Sequence, residues 1–367
     1  MSRLNEFLHG VRVLDLSRHL PGPLATLFLA DMGAEVLKIE PPGGDELRAM
    51  GPRGADGRSI YFDAVNAGKT TRRLDLTRPD VRQEFLDLVT TADVLLESFR
   101  PGVMTRLGVG YETLGTANPR LVYCSLNGFG ASGPLAQAAG HDVNYLSLAG
   151  ALFHNDGGDT PFFDPPVADC AGALFAALAI AGALHRRAHD GKGCHIDLAL
   201  ADAVMPLQVC HLAELAASGV PPRPREGLLN GGAACYRVYD TADRRRVGLG
   251  ALEPKFWRAF CAAAARPDWE PQHRNPLPQT RLIAEVAAMF GGLTLAQCEE
   301  RFATADCCYA PVLDLAEAIA SPHVRERGLV QRTSSGGLQA LFPAVVDGER
   351  PAARVPLCVQ DADLPHT

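Results

Sequence analysis

The sequence predicts an α/β protein: a large domain built on a Rossmann-like parallel sheet, with a smaller α+β domain. Three observations carry this. Short apolar strands alternate with amphipathic helices through the first third. At 367 residues the chain exceeds the size of one ordinary core. The texture then changes past a proline-rich basic stretch, Gly219 to Arg225.

In order, Val11 to Leu16 reads as a strand and Pro21 to Met32 as a helix with proline near its start. Glu35 to Ile39 is the next strand, and Leu74 to Leu76 ends another. Pro79 to Thr91 carries the helical stripe Val81, Phe85, Leu88, Val89, followed by strands at Val94 to Glu97 and Leu121 to Leu126. An alanine-rich helical region starts near Gly172 and includes a strand at His195 to Leu198. Cys235 to Tyr239 and Arg246 to Leu249 flank a turn and read as a hairpin. Helices follow at Pro254 to Ala264, Gln279 to Phe290 and Leu295 to Phe302, then a strand at Tyr309 to Leu313. The expected division is a large domain over 1–200, a helical, proline-rich linker over 201–225, a small domain over 226–320, and a return to the large domain over 321–367.

Composition narrows the function. The chain is 47% hydrophobic and 21% charged, as globular proteins are. A net charge of −7 and a pI of about 5.9 argue against a nucleic-acid partner, which needs a basic face. The ten cysteines include no C-x-x-C pair, so no metal site is expected and the thiols read as reduced. Met1 to Leu14 has no apolar core of a signal peptide, and a cytoplasmic location is expected. The apolar run Cys170 to Leu184, 15 residues between Asp169 and His185-Arg186-Arg187, is short for a membrane span and reads as a buried helix.

Gly128-Phe129-Gly130-Ala131-Ser132-Gly133 spells G-x-G-x-x-G after a strand. A dinucleotide site needs a helix to begin inside that loop, but Pro134 follows at once and no acidic residue closes a strand about 20 residues on. The loop reads as a tight turn beside an active site. His141 follows it, one of eleven histidines. Asp169 precedes the apolar helix, as a catalytic carboxylate or as a cap. Glu253 before Pro254 has an ordinary reading as a first-turn acid. Arg100 and Arg106 follow the strand Val94 to Glu97, at the carboxyl end where open α/β sheets bind ligands, and guanidinium forks suit phosphate.

Several stretches resemble the family III CoA-transferase superfamily (CaiB/BaiF type). They are Asp15 to Arg18 with Pro21-Gly22-Pro23, Leu29 to Glu40, Gly68-Lys69, Leu74 to Leu76 and Phe99 to Val103. Three more look like its alpha-methylacyl-CoA racemase branch: Gly140 to Tyr145, Ala168-Asp169, and Gly250 to Pro254. The resemblance implies His141 and Asp169 as the acid–base pair and Glu253 as the group holding the histidine. It implies coenzyme A contacts at Arg100, Arg106, Lys38, Lys69 and Asp142. It also implies an interlocked homodimer, acyl-CoA as the small-molecule partner, and no cofactor beyond the coenzyme A of the substrate.

The implied reaction is racemisation of a 2-methylacyl-CoA in lipid metabolism by 1,1-proton transfer through an enolate. That asks for two groups of comparable basicity on opposite faces of the α-carbon. The backbone N–H groups at the start of the helix after Asp169 are candidate donors to the enolate oxygen. The alternative is a CoA-transferase, in which Asp169 attacks the thioester and forms an aspartyl-CoA intermediate. His141, Glu253 and the short glycine segment Asn230-Gly231-Gly232 favour the racemase. Retention of only one glycine in Cys170-Ala171-Gly172-Ala173 counts against it. A remote alternative is a non-catalytic CoA-binding protein.

Overall fold

Six strands from the first two hundred residues build the central sheet: β1 (Arg12–Leu16), β2 (Glu35–Glu40), β3 (Thr70–Arg73), β4 (Val94–Glu97), β5 (Val122–Asn127) and β6 (Cys194–Ala199). A computed structural model describes residues 3–155, 163–333 and 337–360 of the chain. A seventh strand, Cys358–Val359, pairs with β3 at one edge, so the end of the chain returns to the sheet. The order runs Cys358–Val359, β3, β2, β1, β4, β5, β6, with every pairing parallel. Central strands β4 and β5 are buried along their whole length, as strands covered on both faces should be. The order reverses between β1 and β4, and open α/β sheets bind ligands at the carboxyl ends beside such a point.

The described chain divides into two units. The first holds 1–149, 163–207 and 322–367, and the second 150–162 and 208–321. In the second, Tyr236–Asp240 and Arg246–Gly250 form the antiparallel hairpin, with Tyr309–Pro311 beside it. Its core stacks Phe260 against Trp269, Phe290 and Phe302, and the Trp257 indole N–H donates to the Trp269 carbonyl at 3.1 Å.

Two expected elements are corrected. Leu74 to Leu76 lies beyond β3, tied back by a Leu74 N–H to Glu40 carbonyl bond of 2.9 Å. The apolar helix is longer than its apolar run and spans Val167–Asp190, 24 residues. By length and composition alone this helix and the stretch Leu200–Ser218 suffice to cross a bilayer. In the fold, Val167–Asp190 packs on β5, β6 and the helix Pro21–Asp31. Its Arg187 anchors the far end to Asp93 at 2.7 Å.

Candidate active site

The turn after β1 is built around buried charge. Asp15 accepts from the Lys69 ammonium at 3.1 Å and from the Thr26 hydroxyl at 2.5 Å. Burial works to raise Asp15, but Lys69, Lys38 and the hydroxyls of Ser17 and Thr26 together hold it down at about 2. Lys69 also donates to the Pro23 carbonyl, Thr26 and Asn66 at 2.8, 2.8 and 3.0 Å. Lys38 meets Asp45 at 2.9 Å and the Ser17 carbonyl at 2.8 Å. Both lysines are fully buried. Both were expected to contact coenzyme A; in the fold each ammonium is enclosed by internal acceptors that belong to this turn.

The acid–base candidates stand at two helix starts that meet. His141 is exposed and precedes the helix Asp142–Leu148; its N–H donates to Asn144 Oδ1 at 3.0 Å, and the Asn144 N–H returns to its carbonyl at 2.8 Å. The Asp142 carboxylate accepts the backbone N–H of Asp169 at 3.0 Å. Thus one hydrogen bond and one residue separate the backbones of His141 and Asp169. Asp169 lies inside the first turn of its helix, and the N-cap is Pro166, so the capping reading is set aside. Burial, then the charge of Asp142, push the Asp169 carboxyl up to about 7. Burial also raises Asp142.

The helix amides expected as enolate donors are already engaged. The Asp169 N–H bonds to Asp142, and the Cys170 N–H donates to the Pro166 carbonyl at 3.1 Å. Asp142, expected against coenzyme A, here ties the two helix starts together.

The glycine loop has a packing purpose. A Cβ on Gly128 would lie 2.7 Å from Tyr145 Oη, and one on Gly140 would lie 2.8 Å from Tyr145 Cε1. Tyr145 fills that space, donating to the Gly140 carbonyl at 2.6 Å and packing edge-on against Phe129. No helix begins inside the loop, and the next one opens at Asp142. A Cβ on Gly172 would lie 2.2 Å from Leu200 Cδ2, so that side chain would have to turn aside, whereas Ala173 is already buried.

A crevice of about 220 Å³ opens at the carboxyl ends of β1 and β2 and the start of the segment after β4, lined by Leu16, Arg18, Ile39, Glu40, Phe99 and Leu107 among others. Arg100 and Arg106 flank Phe99 and Leu107 in the chain, are exposed, and meet no carboxylate among the described residues. Glu253 belongs to the second unit, where it precedes the helix Pro254–Ala263 and is exposed. Asn230, also in that unit, closes its turn by accepting from the Gly227 N–H at 2.7 Å. Among the described residues no group of three or more His, Cys, Asp or Glu side chains could hold a metal ion.

The sequence matches CoA-transferase family III over residues 8–361. The chain belongs to that family. This family III chain is 34% identical over 359 residues to the acetyl-CoA:oxalate CoA-transferase of Acetobacter aceti, covering 94% of this chain and 91% of the relative. It is 35% identical over 327 residues to the alpha-methylacyl-CoA racemase of Mus musculus, covering 87% and 81%. A crystal structure of a CaiB/BaiF family protein from Brucella suis has a TM-score of 0.83 at 28% identity, with 96% of each chain covered. The family III chain is therefore an enzyme of the transferase or racemase kind. One residue in contact with His141 carries no signal along the chain. His19, exposed at the end of the β1 turn, sets its ring edge-to-face with that of His141. The strand before it was legible, but the backbone turn that aims the ring was not.

Proposed function

We propose that the enzyme racemises a 2-methylacyl-CoA, with His141 and Asp169 exchanging the α-proton through an enolate. One observation carries the reading: Asp169 is held at about 7 beside the His141 helix start. A carboxyl poised there takes both protonation states at neutral pH, as a group that removes a proton in one direction and delivers it in the other must. A carboxylate acting as nucleophile toward a thioester has no need of that balance. Arg100 and Arg106, exposed and adjacent in the chain to the crevice residues Phe99 and Leu107, suit the coenzyme phosphates. A homodimer is part of the reading. Its support is apolar surface on each unit, Leu174 and Leu178 on one and Val209 and Leu212 on the other.

The test is deuterium washout. The protein is incubated with a 2-methylacyl-CoA in heavy water and the α-proton is followed without any acid acceptor. Exchange is expected, and His141→Ala should abolish it. The second reading, CoA transfer through Asp169, is favoured by the extent of the match to the oxalate transferase. No exchange, with coenzyme A passing to an added carboxylate and His141→Ala sparing that transfer, overturns the racemase.

A further inference from the structure

We propose that His19 is a positioning residue of the active site, whose imidazole holds the His141 ring in the orientation used for proton transfer. The proposal rests on reading His141 as an acid–base group. The two ring centroids lie 6.5 Å apart at an interplanar angle of 83°, an edge-to-face pair. In such a pair the positive edge of one ring addresses the negative face of the other, which fixes their mutual orientation.

His19 reaches this place through a conformation that side chains avoid. Its φ is 61°, in the left-handed region. Such residues persist only where the surroundings over-determine them. Here they do. The Ser17 N–H donates to Asp15 at 3.0 Å, and the Ser17 carbonyl accepts from Lys38 at 2.8 Å. The Arg18 N–H donates to Ser98 Oγ at 3.0 Å, and the His19 N–H faces Asp45 Oδ1 at 3.5 Å. The residues beneath are the buried ion pairs Lys69–Asp15 and Lys38–Asp45. Gly22 closes the turn so tightly that a Cβ there would sit 2.1 Å from Ser17 Cβ. The two buried ion pairs brace this strand-to-helix turn. What they hold outward is one imidazole, facing His141.

Asparagine tolerates the left-handed region, and glycine adopts it freely. His19→Asn and His19→Gly therefore remove the ring and keep the turn. In the exchange assay both variants should lose about tenfold in kcat, the scale of one edge-to-face contact, with KM and thermal midpoint unchanged. Free imidazole should restore part of the His19→Gly rate. A kcat within about twofold of the parent in both variants, or a loss confined to KM, overturns the proposal. If the parent enzyme shows no exchange, the racemase reading fails by itself. His19 is then judged by the imidazole resonances of His141 in the unliganded protein. They should move in both variants, and unchanged resonances overturn the positioning role.

Discussion

Asp169 shows what one residue gives up for its chemistry. Folding lifts its carboxyl from 3.8 to about 7. Between those values the folded chain holds a proton that the unfolded chain has released. Stability therefore falls as pH rises through this window, and the penalty is complete above about 7. Asp169→Asn removes the titration, so its thermal midpoint should exceed the parent's by more at pH 8 than at pH 5. An equal offset at both pH values would mean that the carboxyl is not held up by its site. At this scale the sequence located the charge but not its surroundings. Lys38 and Lys69 read like any phosphate-binding lysines, and only burial separates them from Arg100 and Arg106, which stay exposed.

Elements were mostly legible because periodicity is local. The hairpin Tyr236–Asp240 with Arg246–Gly250, the helix Leu295–Phe302 and the strand Val94–Glu97 lie where their patterns place them, to within a residue. Ends were less legible. The helix Val167–Asp190 begins before its apolar run, and this moves Asp169 from a boundary into the first turn, where its N–H meets Asp142. The turn from β1 into Pro21–Asp31 leaves little room for added volume. Gly22→Ala places a methyl against Ser17 in a buried turn, and overpacking of this kind costs about 1–3 kcal/mol. The variant should melt below the parent and lose exchange activity, since the same turn carries His19. A variant that melts with the parent would show that the turn has room to yield.

Across the whole molecule, strand order brings distant segments to one edge of the sheet. The reversal between β1 and β4 sets the Ser17–His19 turn beside Ser98 and the crevice beside Phe99. The buried pair Lys69–Asp15 joins residues 54 positions apart across the sheet. Removing one partner of such a pair leaves the other charge uncompensated. Lys69→Met should lower the unfolding free energy by about 3–5 kcal/mol in urea titration. Were Lys69 a phosphate contact instead, stability would hold and KM for the thioester would rise.

The α/β class, the family and the chemical types present at the site follow from residue order, because hydrophobic period, turn residues and motif blocks are properties of neighbours along the chain. Which charges are enclosed, which helix amides are already bonded, and the meeting of His19 with His141 are set by the fold. Burial, hydrogen-bond partners and ring geometry depend on segments that meet in space, and no spacing along the chain records those meetings.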